Sequence, residues 1–488
     1  MQVADLIRRA GAQFGDRPAL VHGARTMSFA ELDAQTDRLG RALLARGLAP
    51  GDRVAALMPN GIDGIVAYYA LAKSGLVRLP LNARETPTEH AHKLADSGAR
   101  ALIAPEDVPG HDVEVRIGVH ELPGMIERAG AGVCAVARPP GVPLRLAYTG
   151  GTTGAPKAVM LTDGNEMCEI AAFLCDLLPG LTPNHTMLHA APVTHGSGAF
   201  LLPHLVRGAR NVVLERFSAE AWLDAAERER ATATFMVPTM LAMLLEEPAT
   251  GDASLAITHL CYGGAPTAPT LLRRALDTLG PVLAQTYGQA EAPLAITLLR
   301  PDEHDEPRLT SAGRPYTFVE AEIFGEDGEP VGPGETGEVV SRGPHVMQGY
   351  WNDPQATAET IDERGWLHTG DLGRWDEEGY LHLVDRRHDV IISGGFNVYP
   401  REVEDTLLTH PAIVEAAVVG VPDERWGERI AAAVVARGPV TPQELEDHCR
   451  DRLAGFKRPR HIELWDELPR SPVGKSLRRE VREAMVNT

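Results

Sequence analysis

Alternation of amphipathic helical runs with short apolar runs is the feature that most restricts the folds open to this chain. From Phe29 to Ala45 apolar residues recur at helical spacing, Gly47, Pro50 and Gly51 stop the run, and Val54-Ala55-Ala56-Leu57-Met58 follows without a polar member. Such a run reads as a short buried strand. The same order returns at Ala199–Leu205 with Asn211–Leu214, and at Glu220–Arg228 with Ala233–Val237. Helix and strand in alternation predict an α/β fold. From about Phe318 the texture changes to strand-like runs broken by Gly and Pro, including Gly337–Ser341, which predicts a β-rich subdomain. After Asp385 the mixed pattern resumes, with a helical run near Pro400–Leu408 and strands near Ile413–Val419 and Ile430–Ala436. The expected organisation is a large N-terminal domain over residues 1–387 and a small mobile α+β domain over residues 388–488.

Composition narrows the function by exclusion. The formal net charge of −20 argues against a nucleic-acid partner, because binding to a phosphate backbone needs clustered Lys and Arg. The five cysteines are scattered and never form a CxxC pair, which argues against a disulfide framework or structural zinc. Met1–Leu20 carries Asp5, Arg8, Arg9, Asp16 and Arg17, so no signal-peptide core is expected there. No later stretch has the roughly 18 apolar residues of a membrane span, and a cytoplasmic location is the expectation.

The segment Tyr148-Thr-Gly-Gly-Thr-Thr-Gly-Ala-Pro-Lys157 points to chemistry. Glycines let backbone N–H groups converge on an anion, and threonine hydroxyls with a lysine add donors, so Thr149, Gly150, Gly151, Thr152, Thr153, Gly154 and Lys157 are candidate phosphate ligands. Pro156 before Lys157 and Ala158 after it exclude a Walker A loop. Tyr287 offers a flat ring for a base, Gly288 permits close backbone approach, and Glu291 supplies a hard oxygen suited to Mg²⁺ on phosphates. Lysine is scarce: only Lys73, Lys93, Lys157, Lys457 and Lys475 occur.

Read together, these segments resemble the acyl-adenylate-forming superfamily of acyl-CoA ligases, peptide-synthetase adenylation domains and luciferases. The resemblance extends, in order, through Gly263-Gly264-Ala265-Pro266, Thr286-Tyr287-Gly288-Gln289-Ala290-Glu291, Gly365–Asp371, Asp385-Arg386, Gly394-Gly395, Pro400–Glu404 and Pro472-Val473-Gly474-Lys475. It implies ATP and Mg²⁺ as cofactors, with Tyr287 stacked on adenine and Asp371, after a Thr-Gly turn, accepting the ribose hydroxyls beside Arg386. It also implies Glu291 as metal ligand, Lys475 between the substrate carboxylate and the α-phosphate, His195 at the acyl pocket, and His388 as hinge. Gly150 stands where the family has serine and Ala290 where it has threonine, so two hydroxyl donors are missing. Asp163 replaces a family histidine.

The expected reaction is activation of a carboxylic acid as its adenylate, followed by transfer to CoA. Adenylation domains for amino acids carry an aspartate near the position of His195, and its absence argues against an α-amino acid. The alternatives are transfer to a free amine, and a non-catalytic nucleotide-binding relative. His195, Phe200, Phe235, Tyr262 and Gly263 are the expected acid pocket, with the glycines of His195–Gly198 and Gly263-Gly264 leaving room.

Overall fold

The computed structural model describes residues 1–105, 112–149, 156–251, 253–393, 396–423, 426–450, 452–470 and 476–486. A mixed α/β N-terminal domain contains three sheets, and a small C-terminal domain contains a fourth. The nine-stranded sheet is parallel through its centre, running from Leu283–Gln289 through His259–Gly263, Ala233–Met236, Thr186–His189 and Arg210–Val213 to Pro18–His22. Antiparallel strands close both edges: Ala292–Leu299 and Arg314–Pro315 at one, Arg25–Ser28 at the other. The seven-stranded sheet carries Arg145–Tyr148, Ala158–Leu161 and Gly349–Tyr350 at one side. The β-rich part is a four-stranded antiparallel sheet of Glu320–Phe324, Gly337–Arg342, Leu367–Trp375 and Leu381–Arg386.

Local chemistry explains several elements. The helix Phe29–Ala45 starts where Ser28 accepts from the Glu31 N–H while the Glu31 carboxylate accepts from the Ser28 N–H, a reciprocal cap. Ala55 faces one apolar cluster while Val54 and Ala56 face another, so Arg53–Ala56 is apolar at successive positions because both its faces are covered. Asp163 is an anchor: its carboxylate accepts from the Val3 N–H at 2.7 Å and pairs with Arg138 at 2.5 Å. Lys73, fully buried, pairs with Asp33 and with Asp37 at 2.9 Å. Among the described residues no helix is long and apolar enough to cross a membrane.

The chain leaves the four-stranded sheet at Arg386, makes a 3-10 turn over Arg387–Asp389, and enters the five-stranded sheet at Ile391–Ser393. That sheet continues through Gly427–Ala436 and Ile413–Asp423, with His461–Leu464 pairing alongside in parallel. An ion cluster crosses the turn. Arg478 meets Asp385 at 3.0 Å, Asp389 at 2.7 Å and Glu404 at 2.7 Å, and the Arg401 N–H donates to Asp385 at 2.7 Å.

One buried carboxyl gives the fold a pH dependence. Glu169, 4% exposed, has its pKa raised from 4.5 to about 8 by burial and then by the neighbouring Glu166 charge. Between those values the folded chain holds a proton that the unfolded chain has released, so stability is lost as pH rises from about 4.5 through about 8. Glu169→Gln is expected to flatten this slope; thermal unfolding at pH 5 and pH 8.5 should show a smaller drop in Tm than for the unsubstituted chain.

Candidate functional site

Two neighbouring parallel strands end together. His259–Gly263 pairs with Leu283–Gln289, placing Gly263 opposite Thr286, and ligands in open α/β sheets bind outside such carboxyl ends. A side chain at Gly263 would lie 2.3 Å from the Thr286 carbonyl, and one at Gly288 would lie 2.5 Å from the Ala292 carbonyl. Gly264 adopts φ 81°, which glycine tolerates, and with Ala265 and Pro266 it leads the chain onto the surface. Thr286 is 1% exposed and its hydroxyl has no hydrogen-bond partner among the described residues.

The nucleoside candidates converge on one carboxylate. Tyr287 donates its hydroxyl to Asp371 Oδ2 at 2.6 Å, and Arg386 Nε donates to Oδ1 at 3.1 Å. Asp371 and Arg386 face each other across paired strands. Burial, and then the Asp371 charge, push the Tyr287 phenol well above its ordinary pKa, so it remains a donor. Asp371 does not follow a turn, as its Thr-Gly context suggested; it lies inside Leu367–Trp375, where Gly370 at φ 71° interrupts the regular strand. Its placement depends on Glu338, a residue the sequence did not single out. That carboxylate accepts from the Gly370 N–H at 3.0 Å and meets His368 at 3.0 Å and Arg387 at 3.4 Å.

The phosphate-loop candidate joins two antiparallel strands, Arg145–Tyr148 and Ala158–Leu161, and the Thr149 N–H donates to the Lys157 carbonyl at 3.0 Å. The two strands that flank it are antiparallel neighbours, whereas a Walker A loop runs from a strand into a helix. Gly150, Gly151, Thr152, Thr153, Gly154, Gly394, Gly395 and Lys475 lie outside the described residues. Of the four described lysines, Lys73, Lys93 and Lys457 pair with carboxylates. The ammonium of Lys157 instead faces the ring of Tyr350, 5.1 Å from its centroid.

Glu291 occupies the tight turn between Leu283–Gln289 and Ala292–Leu299. Its backbone carbonyl accepts from the Met347 N–H at 2.8 Å, and its Oε1 accepts from the Tyr350 hydroxyl at 2.7 Å. No cluster of three His, Cys, Asp or Glu side chains able to hold a metal occurs among the described residues. One buried carboxylate whose Oε2 accepts no hydrogen bond from them suits Mg²⁺, which typically combines one or two carboxylates with substrate phosphates and water.

The acyl-pocket candidates separate. His195 stands at the start of the 3-10 turn Gly196–Phe200, with Nδ1 2.8 Å from the Thr194 hydroxyl. His195 is exposed at the surface, yet the protein around its imidazole lowers its pKa by desolvation, while Glu85 acts in the opposite sense. Phe200 is fully buried behind Phe235, between it at 5.6 Å and Phe173 at 4.9 Å, and so belongs to the core. Tyr262 is on the wrong face: Phe235 pairs with Cys261, whereas Tyr262 is one residue further and packs in the opposite cluster, its hydroxyl 3.0 Å from Gln285 and His304. Of the four glycines expected to leave room, only Gly264 has nothing within 4 Å of a side chain placed there. Gly196 abuts the Phe235 ring, and a side chain at Gly198 would lie 2.1 Å from the Val193 carbonyl. His388 is exposed in the turn between the sheets.

The pattern of the family described as AMP-binding enzyme matches residues 7–351, and that of the AMP-binding enzyme C-terminal domain matches residues 402–475. A feruloyl-CoA synthase of Amycolatopsis sp. is 41% identical over 478 residues, 95% of each chain. The structure of o-succinylbenzoate CoA synthetase from Bacillus subtilis, in complex with its acyl-adenylate intermediate, superposes with TM-score 0.91 at 35% identity, covering 99% of this chain and 98% of that one. The same synthetase has been solved with ATP and a magnesium ion. An amide bond synthetase from Marinactinospora thermotolerans superposes with TM-score 0.87 at 33% identity, covering 99% of this chain and 100% of that one.

Proposed function

The chain belongs to the AMP-binding enzyme family as an ATP-dependent, AMP-forming ligase, and from that premise we propose that it joins a carboxylic acid to CoA through an acyl-adenylate. The observation that carries the nucleotide half is the meeting of Tyr287, Asp371 and Arg386 at the mouth of the parallel sheet. The acceptor half is supported by the 41% identity to a feruloyl-CoA synthase along nearly the whole of both chains.

In the first step a carboxylate oxygen attacks the α-phosphorus of ATP, the bond to the bridging oxygen breaks, and pyrophosphate leaves. Asp371 and Arg386 orient the ribose, the ring of Tyr287 lies under the base, and Lys157 with Thr149 and the intervening loop holds the phosphates. Glu291 would hold Mg²⁺, which when bound neutralises phosphate charge and aids departure of pyrophosphate. Lys475 is assigned, by the family resemblance, to offset the charge of the two anions. In the second step the CoA sulfur attacks the acyl carbon, the acyl–oxygen bond breaks, and AMP leaves. His195 lines the cleft where acid and thiol meet. The C-terminal domain, from residue 388, is the part that turns between the two steps about His388.

An acid carrying an aromatic ring is the proposed substrate class. Ferulate and 2-succinylbenzoate, named in the relatives, both carry one. The likeness to an amide bond synthetase favours a second reading, with an amine as acceptor. Incubation of the protein with ATP, Mg²⁺ and a panel of aryl and alkyl acids, with CoA or with an amine, separates them. Acyl-CoA with release of AMP is expected; turnover only with amine would overturn the CoA assignment.

A further inference from the structure

Tyr350 belongs to none of the motifs, yet it touches two of their functional residues. The strand Gly349–Tyr350 pairs with Ala158–Leu161, Tyr350 opposite Val159, and this partner strand begins immediately after Lys157. Register therefore sets Tyr350 at the root of the phosphate-loop candidate. The Tyr350 N–H donates to the Thr357 hydroxyl at 2.8 Å, which donates in turn to the Asp353 carbonyl at 2.8 Å, and the residue is 8% exposed. From this fixed position the hydroxyl donates to Glu291 Oε1 at 2.7 Å, while the ring lies under the Lys157 ammonium at 5.1 Å.

These contacts do different things. A carboxylate with one oxygen tied cannot rotate freely, so Glu291 presents Oε2 in a set direction. An ammonium within about 6 Å of a ring face is attracted to it without being neutralised, as a carboxylate partner would neutralise it. We infer that Tyr350 is a positioning residue for the ATP phosphates, aiming the second oxygen of Glu291 at the phosphate-bound Mg²⁺ and holding the Lys157 charge beside it. This rests on the adenylation proposed above.

Tyr350→Phe keeps the ring and removes the hydroxyl; Tyr350→Leu removes both. Calorimetric titration of ATP with and without Mg²⁺ reads the two contacts separately from turnover. Tyr350→Phe is expected to bind ATP alone as the unsubstituted protein does and ATP with Mg²⁺ about tenfold more weakly, the scale of one hydrogen bond to a charged group. Tyr350→Leu should weaken both. If Tyr350→Phe binds ATP with Mg²⁺ normally, or loses equally with and without the ion, the inference fails. Glu291→Gln and the double variant complete the cycle: where Tyr350 acts through Glu291, adding Tyr350→Phe to Glu291→Gln weakens binding no further, and an additional tenfold loss overturns the inference even if the single variant folds poorly. Normal Mg²⁺-dependent binding by Glu291→Gln would remove the metal role proposed for Glu291 and this inference with it. Weakened Glu291→Gln beside normal Tyr350→Phe removes the inference alone.

Discussion

Lys475→Ala is expected to slow acyl-adenylate formation by roughly 10²–10³-fold, the effect of deleting one preorganised group aimed at developing charge. Adenylation brings an anionic carboxylate against an anionic triphosphate, and a cation between them offsets repulsion that grows as the new bond forms. The family pattern matched by the C-terminal domain ends on this lysine. Nothing in the second step needs it, since the thiol attacks an already activated acyl group and AMP departs. Acid-dependent ATP–pyrophosphate exchange should therefore collapse, while conversion of preformed acyl-adenylate and CoA to thioester should change little. Exchange at the unsubstituted rate would overturn the assignment; equal loss in both assays would mean that the lysine serves the fold or both steps.

Asp371→Ala should be as damaging, for two reasons that can be separated. Two hydrogen bonds from a ribose to a carboxylate are worth about 1.5–3 kcal/mol each, so ATP affinity should fall at least about a hundredfold. The same substitution strands the buried Tyr287 hydroxyl, which costs about 1–3 kcal/mol of stability. Tyr287→Phe added to Asp371→Ala removes the stranded hydroxyl, so the double variant should regain much of the lost stability and none of the lost ATP binding. Calorimetry with ATP and thermal unfolding on the three variants check this; affinity returning with stability would mean that Asp371 is structural only.

How far these features were legible depends on the sequence distance over which each interaction acts. The helix Phe29–Ala45 was readable to its ends because its cap is local, Ser28 with Glu31. The run Val54–Met58 was readable as a strand, but the strand stops at Ala56, since apolar character does not say where pairing ends. Tyr287, Asp371 and Arg386 were singled out by the ordered motifs they stand in, whereas their joint hydrogen bonding was not legible. Tyr350 and Glu338 were missed because each acts on a residue tens of positions away through strand register. The misplacement of Tyr262 was avoidable: strand parity turns it away from its neighbour Cys261 and hence from Phe235. Glycine was misread as room, when at Gly196, Gly198 and Gly263 neighbouring rings and carbonyls already occupy the space.

The carboxylate of Asp371 can also be considered as a count of lone pairs. Its two oxygens offer about four acceptor positions. Tyr287 takes one on Oδ2 and Arg386 one on Oδ1, which leaves one on each oxygen. Two positions of the same kind match two adjacent hydroxyls. In the role proposed for Asp371, a ribose would satisfy both, and a 2′-deoxyribose would satisfy one and leave a charged acceptor without its partner. The tyrosine and arginine thus do more than hold the carboxylate still. In the ribose-binding role proposed for Asp371, by occupying half of it they would leave a gauge for a vicinal diol, and with it a means of telling ribonucleotides from deoxyribonucleotides.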